Sequence, residues 1–130
     1  MPMKIGTLLA VNAVISTLFG LGFVLAPAQS LLPYGVELPP AGLIITRLFG
    51  AALLGYGMIT WLLRRTQDAA VLRSLALSLA VADALGTLIS LWGVAAGYTN
   101  ALGWSTVAIY ALLCIGFALH AAHKPAVAAA

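Results

Sequence analysis

Four stretches of about 20 or more mostly apolar residues, each long enough to cross roughly 30 Å of hydrocarbon at about 1.5 Å per residue, constrain this chain more than any other feature. They run from Ile5 to Ala26, Ala41 to Leu63, Leu72 to Ala96 and Leu102 to Ala122. In a chain of 130 residues that is 63% hydrophobic and 7% charged, so much apolar surface cannot be hidden inside one small globule, and the remainder must face lipid. The expected fold is an all-α membrane protein, a four-transmembrane-helix antiparallel bundle. It forms one domain over residues 1–124, with left-handed packing between sequential neighbours and a frayed tail over 125–130.

The connections orient the bundle. Pro27 to Pro40 holds four prolines and Gly35, Arg64 to Arg73 is charged, and Gly97 to Ala101 is a tight turn. Basic residues of short loops mark the cytoplasmic side. Lys4, Arg64, Arg65, Arg73 and Lys124 all fall on one side, whereas the first and third connections contain no Lys or Arg. Both termini are therefore expected in the cytoplasm. Trp61 at the inner end of span two, and Trp92, Tyr98 and Trp104 at the outer ends of spans three and four, stand where aromatic interface anchors belong.

Lys4, the apolar run after it and Ala26-Pro27-Ala28 imitate a secretory signal peptide, and cleavage after Ala28 would leave three spans. The run is about 21 residues, longer than the 7–15 of a signal core; it also carries Asn12, and a proline occupies the middle of the cleavage site. Span one is accordingly expected to stay. A weak internal repeat aligns Val11-Asn12-Ala13 with Ala82-Asp83-Ala84, and the stretch Ala52 to Met58 with Ala111 to Phe117. Such a repeat would relate two hairpins about an axis along the membrane normal.

Ionisable groups inside a span cost about 2.5–3.5 kcal/mol each on insertion scales, and the two here, Arg47 and Asp83, each need an account. Asp83 lies roughly 12 Å into the core from the cytoplasmic side, and its short side chain cannot reach water. Arg47 lies roughly 7 Å below the outer surface, with a stem that reaches either the headgroups or Asp83. Ala76, Ala80, Asp83, Thr87 and Ser90 make a small, polar stripe on span three. Asn12, Ser16 and Gly20 match it on span one, Arg47, Gly50, Leu54 and Gly57 on span two, and Thr106, Tyr110 and Cys114 on span four. The candidate ligand or proton site is the cluster Asp83, Arg47, Asn12 and Tyr110. In one reading Arg47 and Asp83 pair, with Asn12 and Tyr110 completing their hydrogen bonds, only to specify helix docking. In the other, Asp83 is a titrating carboxylate that couples proton movement to transport or gates a ligand pocket.

Other residues carry less. His120 and His123 are one turn apart at a wet interface with no third His or Cys ligand close in sequence, and suit the end of a helix better than a metal. No histidine lies deep enough for a haem ligand, so no metal and no cofactor is expected. Cys114, the single cysteine, excludes an intrachain disulfide and reads as a buried packing residue. Six basic residues without a stripe disfavour nucleic acid. Gln29 to Leu38 is too apolar for a solvated loop and is expected on the outer interface, as a cap on the bundle or as a lid over a pocket; Glu37 is expected to be solvated.

Thr46-Arg47-Leu48-Phe49-Gly50-Ala51-Ala52-Leu53-Leu54-Gly55, Asn100-Ala101-Leu102-Gly103-Trp104-Ser105-Thr106 and the proline-rich outer connection together resemble a group of small bacterial four-span membrane proteins that have no assigned activity. The resemblance implies a bacterial inner membrane and singles out Arg47. It does not extend to small multidrug-resistance transporters, whose essential Glu in span one is Asn12 here. The leading expectation is a non-enzymatic accessory or scaffold subunit, in contact with the bilayer and with a membrane-protein partner or further copies of itself. The alternative is a proton-linked carrier or binder of a small apolar ligand using Asp83 and Arg47. A clustered nucleophile and base, which an enzyme would need, is missing from the sequence.

Overall fold

Proline and glycine set the limits of the helices. The computed structural model describes residues 3–123, so Lys124 and the tail expected to fray lie outside the described residues. Helix α1 (Ile5–Leu25) stops at Ala26, whose φ of −143° leaves the helical region, and Pro27 opens the short α2 (Pro27–Leu31). A 3₁₀ turn at Leu32–Tyr34 closes on Gly35 at φ +75°, and Pro40 starts α3 (Pro40–Leu63). Helix α4 (Ala69–Ala95) begins a turn earlier than its apolar run, because the Asp68 carboxylate accepts from the backbone N–H groups of Ala70 at 3.0 Å and Val71 at 3.1 Å. It ends on Gly97 at φ +77°, with Tyr98 N–H donating to Gly93 O and Gly97 N–H to Val94 O, a Schellman closure. Helix α5 (Gly103–Ala122) completes the chain. No strand occurs among the described residues, and four helices are long and apolar enough to cross a membrane.

The four long helices form a bundle of two antiparallel hairpins, α1 with α3 and α4 with α5. Within the first, a Cβ added to Gly20 would stand 2.9 Å from Gly50 O, one added to Gly57 would stand 2.7 Å from Thr17 Oγ1 and 3.1 Å from Ala13 O, and Gly6 abuts Arg64 O. The backbones are thus as close as small residues permit. Within the second, the Tyr110 ring lies on Gly86, the Cys114 thiol donates to Ala80 O at 3.4 Å, and Arg73 Nε donates to Ala121 O at 3.4 Å.

Between hairpins the approach is looser and runs through α1 and α5, where Leu8 packs on Gly116 and His120 Nε2 donates to Met3 O at 2.7 Å. The expected packing of every sequential neighbour fails between α3 and α4, which scarcely approach each other. The physical reason is that α3 has one buried stripe, Thr46, Gly50, Gly57 and Thr60, and turns it to α1.

The core, Leu8, Leu9, Ala76, Leu79, Ala80, Leu113 and Phe117, fills the half of the bundle nearer the Arg64–Asp68 connection. The opposite end is tied by Asn100, whose Nδ2 donates to Pro33 O and whose backbone N–H donates to Tyr34 O, both at 2.9 Å. The first connection therefore caps the bundle by bonding to the third. Large apolar side chains such as Leu18, Ile45, Leu62, Leu88 and Leu112 face outwards, a surface that lipid solvates and water does not. The helix repeat does not survive in spans two and four: the alignment equates Met58, 64% exposed, with Phe117, fully buried.

Candidate functional site

The residues that α1 turns inward recur at alternating spacings of four and three, Asn12, Ser16, Phe19 and Phe23, and so share one helical face. Below Asn12 that face continues into the packed core through Leu8 and Leu9. Above it, the face borders a cavity of about 290 Å³ between the two hairpins. Helix α3 contributes Phe49, Ala52, Leu53 and Tyr56; α4 contributes Ala82 and Asp83; α5 contributes Thr106, Ile109, Tyr110 and Leu113.

Helix direction sorts this lining into two levels. Asn12, Tyr56, Asp83 and Tyr110 stand at the floor, next to the packed half, while Phe19, Phe23, Phe49 and Thr106 line the end nearer the proline-rich connection. The phenyl rings form a continuous wall, with centroids 5.8 Å apart for Phe19 and Phe23 and again 5.8 Å for Phe23 and Phe49. The site is an aromatic vestibule over a polar floor.

Asp83 is 2% exposed, and its Oδ2 has no hydrogen-bond partner. The donors nearest it along α4, and the Asn12 amide on α1, are turned to other acceptors. Thr87, one turn on, donates to the Asp83 carbonyl at 2.7 Å, and Ser90 donates to Gly86 O at 2.6 Å. Asn12 Nδ2 donates to Thr60 Oγ1 at 3.4 Å, and Thr60, fully buried, donates in turn to Tyr56 O at 3.1 Å and Gly57 O at 3.0 Å. An orphaned carboxyl oxygen in a buried site costs about 1–3 kcal/mol, more when charged, so it marks either strain or a missing partner.

Three of the four predicted site residues, Asn12, Asp83 and Tyr110, meet at this cavity. Arg47 does not: it is exposed at the far end of α3, and its Nε donates to Val24 O at 3.3 Å. The Arg47–Asp83 pair of the docking reading is replaced by a bond to one carbonyl in the last turn of α1, where a cation meets the negative end of the helix dipole. Gly50, Leu54 and Gly57 of the predicted α3 stripe do pack on α1, and Thr46 takes the buried place expected for Arg47.

Tyr56, Thr60 and the phenylalanine wall were missed by sequence reasoning. Phe19 and Phe23 continue the spacing of Asn12 and Ser16, and Thr60 continues that of Gly50 and Gly57, so a longer run of the same periodicity finds them. Tyr56 falls in the same way on a run with Phe49, Leu53 and Thr60 at spacings of four, three and four.

At the opposite end, Arg64 stacks on Trp61, its guanidinium carbon 3.6 Å from the ring centroid, and donates to Trp61 O. His120 Nε2 donates to the Met3 carbonyl ahead of α1, and among the described residues no three His, Cys, Asp or Glu side chains gather as a metal would need. No family model, no curated protein and no solved structure matches this chain, which leaves the cavity and its unpartnered carboxyl as the ground on which function is read.

Proposed function

We propose that this protein is a non-enzymatic membrane binder or carrier of a small, largely apolar ligand, held between its two hairpins with Asp83 at the polar floor. One observation carries this reading: a cavity of about 290 Å³ stands beside a buried Asp83 whose Oδ2 has no partner. A scaffold subunit would be expected to close that space with an Arg47–Asp83 contact, and Arg47 is engaged elsewhere. The volume lies just below the roughly 300–1,000 Å³ of typical small-molecule pockets, and the lining, mostly apolar with a few convergent polar groups, has their usual character.

The orientation rests on charge. Lys4, Arg64, Arg65 and Arg73 sit at the packed end, which we assign to the cytoplasm of a bacterial inner membrane, with both termini inside. The cavity then lies between mid-membrane and the outer leaflet, under the cap formed by the first and third connections.

Titration of detergent-solubilised protein into 2-ethylnaphthalene, followed by fluorescence anisotropy against empty micelles, tests the binding reading. A saturable rise is expected for the wild type and none for Ala52→Phe, which fills the cavity from α3. Equal signals from the two proteins would exclude the cavity as a binding site.

A further inference from the structure

We infer that the ligand carries a protonated amine, which docks on Asp83 while its apolar body occupies the phenylalanine-lined vestibule. The inference rests on the binding reading above and adds the chemistry of the headgroup. Asp83 is the only charged side chain in the lining, and the remaining polar members are Asn12, Ser16, Tyr56, Thr106 and Tyr110. With Arg47 spent on Val24 O, no cation among the described residues stands at the floor to offset the carboxylate. A buried carboxylate without a counter-ion is costly, and a ligand ammonium supplies both the missing charge and the N–H donors that Oδ2 lacks.

The surroundings suit a cation in a second way. Tyr110 is fixed against Gly86, one turn beyond Asp83, and Tyr56 borders the same floor from α3, so two electron-rich rings flank the carboxylate. An anionic ligand would meet like charge at the floor. A phospholipid amine is a poor occupant, because it stands at headgroup level while Asp83 lies roughly 12 Å into the hydrocarbon.

The test compares three probes of one shape on the detergent-solubilised protein: 2-(2-naphthyl)ethylamine, 2-ethylnaphthalene and 3-(2-naphthyl)propanoate, each corrected for partition into empty micelles. The amine is expected to bind roughly tenfold to a hundredfold more tightly than the hydrocarbon, the range of a charge-assisted hydrogen bond, and the propanoate more weakly than either. Asp83→Asn should reduce the amine to the affinity of the hydrocarbon. Equal binding of amine and hydrocarbon, or preference for the propanoate, overturns the amine inference and leaves the cavity binder standing. Failure of all three to bind sinks both. Should Asp83→Asn not fold, the ranking of the probes on the wild-type protein decides alone.

Discussion

Replacing Gly50 by alanine is the most direct test of how the first hairpin is held. The added Cβ would lie 2.9 Å from Gly20 O, 2.9 Å from Phe23 Cβ and 3.0 Å from Val24 Cγ2. Ordinary contact begins near 3.4 Å, so α1 and α3 must part by roughly half an ångström, and a gap of that size forfeits about a quarter of each dispersion well along the contact. Over some tens of atom pairs worth about 0.1–0.2 kcal/mol each, the loss comes to about 1–2 kcal/mol, within the about 1–3 kcal/mol usual for overpacking. Alanine also favours a helix over glycine by about 0.5–1 kcal/mol, which offsets part of this. Gly55 supplies the control, since a Cβ there meets nothing within 4 Å and Gly55→Ala receives the propensity gain without the clash. The propensity gain cancels between the two variants, which should therefore differ by about 1–2 kcal/mol in reversible unfolding by a denaturing detergent. The double variant Gly20→Ala/Gly50→Ala should cost less than the sum, because one separation relieves both contacts. Equal stability of Gly50→Ala and Gly55→Ala would refute the close approach of α1 and α3.

Arg47→Gln should leave naphthyl-probe affinity within about twofold and cost about 0.5–1.5 kcal/mol of stability, the worth of one hydrogen bond; a loss of binding comparable to that of Asp83→Asn would return Arg47 to the site. Asn100→Ala removes the side-chain donation to Pro33 O and the Leu102 N–H acceptor, and should cost about 1–2 kcal/mol while raising amide hydrogen exchange in residues 31–36 and 97–103. Unchanged exchange would mean that the two connections are not tied. Asp68→Ala deletes the cap of α4 and should destabilise by about 0.5–2 kcal/mol in the same unfolding measurement, with Asp68→Asn close to neutral.

The helices were legible because lipid solvation demands long apolar runs, and the observed ends differ from the expected ones by at most about a turn. The difference at Ala69 is instructive: hydropathy finds the apolar run from Leu72, while the helix begins where Asp68 can satisfy its first N–H groups. Asn12, Asp83 and Tyr110 were legible as a group because polar residues at depth are turned away from lipid and toward one another. Arg47 was misplaced because attraction between opposite charges was weighed without the competing acceptors that the end of α1 offers. Its register, one residue from the buried Thr46, leaves it exposed within reach of Val24 O at the end of α1, and no rule of charge alone reveals that. The separation of α3 from α4 escaped notice for a similar reason. Short connections make neighbours in sequence adjacent by default, but an α3 with a single small-residue stripe can pack closely on only one partner.

That single stripe also accounts for where the cavity lies. Glycine contacts hold α1 against α3, and the Tyr110–Gly86 and Cys114–Ala80 contacts hold α5 against α4, so close packing is concentrated inside each hairpin. Across the seam, Leu9, Leu79, Leu113 and Phe117 fill one half, and the other half stays open, walled by the rings of Phe19, Phe23 and Phe49. Motion of one hairpin against the other breaks fewer contacts than motion within either, and the hydrogen bonds that cross the seam, Asn100 to Pro33 and Tyr34 at one end and His120 to Met3 at the other, sit at its extremities. A ligand seated over Asp83 touches both hairpins at once, and its occupancy would therefore bear on their relative position before it altered the structure of either.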